Sequence, residues 1–257
     1  MKILLTGHKG FIGSRMLKSL QEAGHQVSTF EWSPIWPDVR GLDWVIHIGA
    51  ISSTVEQDVK KIMLQNYEFS VWLFEECKHN KVNLQYSSSA SVYGLVSTFR
   101  EDALLDPRNY YAKSKALFED YATRYTHGNI VQGFRYFNVY GPEGEEHKGD
   151  QASPFYKFKK QAEETGEIRV FEGSDKYLRD FIHVSEVVKM QQKFLDIPES
   201  GIYNLGTGKT QSFLDVAKMY SSKIVEVPMP EVLKSNYQEY TCADMTKTHQ
   251  MLQKSHI

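Results

Sequence analysis

The segment Thr6-Gly-His-Lys-Gly-Phe-Ile-Gly13 follows a short apolar run, Ile3–Leu5, and precedes a helical pattern. A strand must end and a helix begin within a few residues. Glycines at 7, 10 and 13 permit the tight turn, close approach of backbone to a ligand, and close packing of helix on strand. Further along, short apolar runs alternate with longer amphipathic stretches. The expected strands are Lys2–Leu5, Val27–Phe30, Trp44–Ile48, Leu84–Ser87 and Ile130–Phe134, and the expected helices are Ile12–Ala23, Val59–Lys78 and Tyr110–Thr126. That alternation predicts an α/β fold, a doubly wound parallel sheet covered by helices on both faces.

After Gly141 the pattern loosens into the polar stretch EGEEHKGD, and only Asp180–Val184 and Ile202–Leu205 read as further buried strands. The expected division is a dinucleotide-binding domain over 1–141, rejoined by about 178–206. A smaller, interleaved C-terminal lobe over 142–177 and 207–257 is left to hold a substrate. Within the helix Val59–Lys78, Ile62, Met63, Phe69 and Leu73 form one apolar stripe, but Tyr67, Val71, Trp72 and Phe74 fall outside it. A surface helix needs one such stripe. The second is assigned to a partner subunit, with the C-terminal lobe as the other candidate cover, so a homo-oligomer is expected.

The 257 residues carry a net charge of −2, which gives no pull toward nucleic acid or an anionic membrane. Cys77 and Cys242 have neither metal-ligand spacing nor a disulfide framework, so no metal site is expected. The N-terminal apolar run is too short for a signal peptide, and no later stretch is long enough to span a bilayer. A cytoplasmic location is the expectation.

The helix that opens after the glycine turn offers unpaired amides to a phosphate, which suits a dinucleotide. Glu31 lies near the end of the second strand, where an acid can hold a ribose diol, and this favours NAD over NADP. From Glu31 to Asp43 the chain reads EWSPIWPDVRGLD, too short for the usual helix and strand. The third strand is therefore expected to be missing, with Asp38-Val39 as a substitute wall and Trp32 or Trp36 covering the adenine.

Three serines, Ser87–Ser89, leave the strand in YSSSASVYG, and Tyr111 and Lys115 stand four apart on one helix face. A free tyrosine titrates near 10, so use as a base near neutrality needs a shift of about three units, roughly 4 kcal/mol. A neighbouring ammonium and an oxidised nicotinamide both favour the phenolate, and a serine hydroxyl can hold the substrate oxygen.

The motifs TGHKGFIGS, YSSSASVYG, YYAKSK, RYFNVYGP, RDFIHV and YNLGTG together resemble the extended short-chain dehydrogenase/reductases that act on nucleotide sugars. HKGDQAS, VFEGSDKYLRDF and NYQEYTCADM are similar to the ADP-glycero-manno-heptose 6-epimerase branch of that family. The resemblance implies a Rossmann-like fold and an NAD(P)-dependent epimerase working through a transient ketone. It implies Ser89 as the holder of the reacting oxygen, Tyr111 as an acid/base, Lys115 as its cofactor-bound partner, and Lys148 as a second acid/base. Cofactor contacts would come from Gly7, Gly10, Phe11, Ile12, Gly13 and Glu31, and from Ile48, Gly49, Ala50, Asn66, Lys115 and Val139, with Asn66 also bracing the active-site loop. The nucleotide sugar would meet Ser89, Asn138, Phe171, Ser174, Arg179 and Tyr237. A nucleotide-sugar 4-epimerase, a reductase, and a non-catalytic dinucleotide sensor are the alternative readings. The chain stops soon after Tyr237, so the closing helix of such enzymes is expected to be absent.

Overall fold

The computed structural model describes residues 1–125, 128–141, 143–231 and 237–254. Strand β1 (Lys2–Thr6) leads through the glycine turn into α1 (Phe11–Glu22), followed by β2 (Gln26–Phe30) and β3 (Trp44–His47). Helix α2 (Val59–Ile62) runs through a π-helical stretch, Met63–Glu68, into α3 (Phe69–Asn80). Then come β4 (Asn83–Ser89), α4 (Tyr110–Arg124), β5 (Val131–Tyr136) and β6 (Asn138–Tyr140). The rest comprises α5 (Pro154–Thr165), β7 (Ile168–Phe171), β8 (Leu178–Arg179), β9 (Phe181–His183), α6 (Val184–Lys193) and β10 (Gly201–Leu205). Last are β11 (Gln211–Ser212), α7 (Phe213–Lys218), β12 (Ile224–Val227), β13 (Tyr240–Thr241) and α8 (Thr246–Lys254).

Six parallel strands form the main sheet in the order β10-β5-β4-β3-β1-β2. β3 and β5 are buried at every residue, as strands covered on both faces must be. The order reverses direction between β1 and β3, and that switch point opens a crevice at the carboxyl ends of the strands. β8 and β9 do not join this sheet: β9 pairs with β6, and β8 with β11 and β13. The strand expected over Asp180–Val184 is seen as the shorter β9, which pairs with β6 and not within the main sheet. Helix α8 follows Tyr237 and packs against β10. The expected helix Tyr110–Thr126 is seen to Arg124, and Thr126 lies outside the described residues.

No strand follows β2 between Glu31 and Asp43, so β2 is an edge of the sheet. The connection packs on α3 instead. Trp32, Trp36 and Phe30 set their rings 5.4–5.5 Å from Phe69, and Trp36 lies 4.9 Å from Trp72. Val39 and Leu42 join the same cluster. On its other side, α3 meets α4 through Phe74 against Phe118 and Tyr121. Part of the apolar surface assigned to a partner subunit is therefore covered by the chain itself, because the shortened connection has nowhere else to bury its tryptophans. Asp38 points outward to Arg40 while Val39 is core, so the pair does not wall the crevice.

Candidate active site

The crevice, about 790 Å³, is lined by the glycine turn, the ends of β2, β3, β4 and β5, the start of α4, and the loop between β6 and α5. Gly7 has φ +75°, and a Cβ there would lie 2.4 Å from the Gly49 Cα; one on Gly13 would lie 2.0 Å from the Gly7 carbonyl oxygen. β1, β3 and α1 can meet only through bare backbone. Gly10 caps α1 with no side chain, so the first amides of the helix stay open to an anion. Ile48, Gly49 and Ala50 line the facing wall, and Val139 lines the far end.

Glu31 ends β2 at the mouth of the crevice. Its Oε1 accepts a hydrogen bond from Lys9 N–H at 2.7 Å and lies 3.2 Å from His8 Nδ1. Trp32 lines the crevice, whereas Trp36 does not reach it. Asn66 sits elsewhere than expected for a cofactor contact. It is completely buried in the π-helical stretch, accepts from Ile51 N–H at 2.8 Å, and donates to the Ile51 carbonyl at 2.9 Å and Ser114 Oγ at 3.1 Å. Every polar atom of its amide is used by the protein, so its place is that of a brace between the loop after β3 and α4.

Asn109 caps α4 by accepting from Ala112 N–H, which places Tyr111 and Lys115 one turn apart facing the crevice. Lys115 is buried, donates to the Ser87 carbonyl at 2.8 Å and Ser87 Oγ at 3.3 Å, and stands 6.0 Å from the Tyr111 ring centre. Burial pushes its pKa down to about 8, with the Glu119 carboxylate pulling the other way. Burial raises the Tyr111 pKa, opposed by a hydrogen bond from the Ser89 side chain. Ser89 Oγ also lies 3.1 Å from Ser91 Oγ, and the buried Ser88 hydroxyl between them and Ser87 has no hydrogen-bond partner among the described residues. In the protein alone, desolvation therefore outweighs the groups that favour a phenolate.

Lys148 enters the crevice from the loop between β6 and α5. Its ammonium stands 3.8 Å above the Phe11 ring centre and 3.1 Å from Glu145 Oε2. Burial and the Arg15 guanidinium lower its pKa while Glu145 raises it, burial being the largest effect. Single-sequence reasoning carried no signal for Glu145 or Ser88. Both matter through what surrounds them in space.

The expected sugar-binding residues divide. Asn138 lines the crevice and donates to the Asp180 carbonyl at 3.2 Å. Phe171, Ser174, Arg179 and Tyr237 gather in the C-terminal lobe: Tyr237 lies 6.5 Å from Phe171, and the Arg179 guanidinium lies 5.4 Å from the Tyr237 ring. Arg179 is buried yet donates to the Leu178 and Gln238 carbonyls, and no carboxylate among the described residues is within ion-pair distance of it. Asp180 is not its partner, because that carboxylate accepts from Thr207, Gly208 and Ala243. The Ser174 hydroxyl is buried without a hydrogen-bond partner among the described residues. No cluster of metal-ligating side chains occurs among the described residues, and no helix there is long and apolar enough to cross a membrane.

A parallel sheet with an open glycine turn and a Ser/Tyr/Lys crevice defines a nucleotide-dependent oxidoreductase-like class. The profile of the NAD dependent epimerase/dehydratase family matches residues 31–206, and the chain belongs to that family. An ADP-L-glycero-D-manno-heptose-6-epimerase of Alkalilimnicola ehrlichii is 43% identical over 217 residues, covering 79% of this chain and 68% of that protein. A protein of the same name from Brachyspira hyodysenteriae is 35% identical, covering 95% and 90%. Among solved structures, the Helicobacter pylori ADP-L-glycero-D-manno-heptose-6-epimerase superposes with TM-score 0.86 at 25% identity, over 98% of this chain and 90% of that one.

Proposed function

We propose that the protein inverts carbon 6 of an ADP-linked heptose, the reaction named for its relatives. The observation that carries this reading is that Tyr111 and Lys148 line one crevice from separate elements, α4 and the loop before α5. An epimerase that works through a ketone removes a hydride and a hydroxyl proton from one carbon, then returns both to the opposite face. There is no net oxidation, and a proton acceptor is needed in each pose. The bound dinucleotide supplies the hydride acceptor and donor.

Ser89 holds the reacting oxygen in this scheme, and Tyr111 exchanges its proton in one pose. Lys115 anchors the cofactor ribose and, with the positive charge of the oxidised nicotinamide ring, offsets the desolvation that holds Tyr111 protonated. Lys148 exchanges the proton in the other pose; an amine with a lowered pKa is better matched to acid–base work near neutrality. The pyrophosphate of the sugar nucleotide gives the buried Arg179 the anion that the protein does not supply, while Ser174, Phe171 and Tyr237 complete that pocket. Trp32 covers the adenine. Glu31 at the ribose disfavours a 2′-phosphate, so NAD binds better than NADP. The exposed Leu64, Leu117 and Tyr125 on the π-helical stretch and α4 are the surface through which copies associate.

Incubation with a panel of nucleotide sugars, followed by proton NMR, tests the reaction. The expected outcome is interconversion of the two carbon-6 epimers of ADP-heptose with no net change in NAD. Inversion confined to carbon 4 of a hexose overturns the assignment.

A further inference from the structure

Glu145 is fully buried in the loop that carries Lys148, and its two oxygens accept four hydrogen bonds. Oε1 accepts from Gly141 N–H at 3.2 Å and the Ser153 hydroxyl at 2.7 Å; Oε2 accepts from Ser153 N–H at 2.7 Å and the Lys148 ammonium at 3.1 Å. A carboxylate without exposure costs several kcal/mol unless its charge and lone pairs are met. Gly141 follows β6 and Ser153 caps α5, so the carboxylate ties both ends of the loop together around itself. The fourth donor is the amine that reaches the crevice.

We propose that Glu145 is the positioning residue for Lys148: it holds the ammonium against Phe11 in the crevice and favours its protonated form. The inference rests on the reading of Lys148 as the second acid/base. The charged groups that act on the amine are Glu145 from its own loop and Arg15 from α1, whose guanidinium lies 4.4 Å from the Phe11 ring centre. Tyr220, which follows α7, is close enough to feel the Glu145 charge. Arg15 and burial push the amine toward its neutral form, and Glu145 opposes them. Without the carboxylate the balance tips further toward the neutral amine.

Competitive acetylation with acetic anhydride across a pH series, read by peptide mass spectrometry, reports the titration of Lys148 in the unliganded protein. In Glu145→Gln the Lys148 midpoint is expected to fall by about one to three pH units, the usual effect of losing an opposite charge at close range, while surface lysines stay put. A midpoint that does not move overturns the proposal, as does a pH–rate profile that drops uniformly with unshifted limbs. If Glu145→Gln is recovered unfolded, Glu145→Asp serves, because its shorter carboxylate keeps the charge but draws back from the amine; the expected shift is smaller and in the same direction. The underlying reading fails separately: Lys148→Met that retains wild-type epimerisation removes Lys148 from catalysis whatever the labelling shows.

Discussion

The two walls of the crevice are built in opposite ways. On one side, Ser89 and Tyr111 stand on β4 and α4, in the middle of the six-stranded sheet, and Lys115 is locked to the Ser87 backbone. On the other, Lys148 stands on a loop held by one buried carboxylate. The first wall derives its geometry from the fold as a whole. The second derives its geometry from Glu145. A reaction that must work on both faces of a planar ketone can use such a pairing, since the rigid wall fixes cofactor and oxygen while the loop accommodates the turned intermediate.

Removing the proton-bearing atom on each side is the strongest way to break this comparison. Tyr111→Phe and Lys148→Met are each expected to lower kcat for epimerisation by about 10²–10⁴-fold, the usual effect of losing acid–base help. Calorimetric NAD titration should separate them from Lys115→Met, since only the last removes the proposed ribose contact. If Lys148→Met weakens NAD binding as much as Lys115→Met does, the loop belongs to the cofactor side and the two-wall description fails.

A smaller effect is expected in the lobe beyond the loop. Arg179→Met removes a buried cation with no carboxylate partner among the described residues, so KM for the sugar nucleotide should rise about 10–100-fold with kcat little changed. Thermal stability should hold, because an uncompensated buried charge is removed. A large fall in Tm with unchanged KM would make Arg179 a structural residue.

At the mouth of the rigid wall the two tryptophans should behave differently. Trp32→Ala is expected to weaken NAD binding about 5–50-fold, in the range of a lost base–aromatic stack, and to leave nicotinamide mononucleotide binding unchanged. Trp36→Ala should lower stability without altering either affinity, because its ring lies on Trp72 and Phe69. Equal effects on NAD from both would mean that the connection acts only as packing.

The smallest effect is one of pH. Beneath the glycine turn His47 is buried between Thr6 Oγ1 at 2.7 Å and Ser70 Oγ at 2.9 Å, and burial holds its pKa down to about 3 against an ordinary 6.5. The unfolded chain takes up this proton below about pH 6.5 and the folded one does not until about pH 3, so stability falls with pH across that window. The slope approaches about 1.4 kcal/mol per pH unit from this one group. Denaturant unfolding of wild type and His47→Gln at pH 7 and pH 5 measures it: the variant should lose less on acidification, and equal losses would place the acid sensitivity elsewhere.

Much of the rigid wall was legible in the residue order. Helical spacing alone pairs Tyr111 with Lys115, and a strand–glycine–helix segment alone implies an anion cradle, because these contacts lie within one turn or one βα unit. The pairing of the small sheets was not legible, for the opposite reason. β8 and β9 are two and three residues long and pair with β11, β13 and β6, partners that no local pattern names. The second apolar face of the Val59–Lys78 helix was visible, but its cover was not, since Trp36 meets Trp72 only after the chain folds back across the sheet edge. The bracing role of Asn66 was expected only from the resemblance, since its partners Ile51 and Ser114 are distant in sequence.

The sequence by itself therefore determined the α/β class, the glycine turn, the Ser/Tyr/Lys set and the absence of a third strand. Each follows from periodicity, backbone sterics or the number of residues available for a connection, which are local quantities. Tertiary structure decided that Lys148 faces the same crevice as Tyr111, that Arg179 is buried without a carboxylate among the described residues, and that Glu145 lies at the centre of the loop. Burial and charge pairing arise between segments far apart in the chain, and electrostatic energies depend on those distances through space.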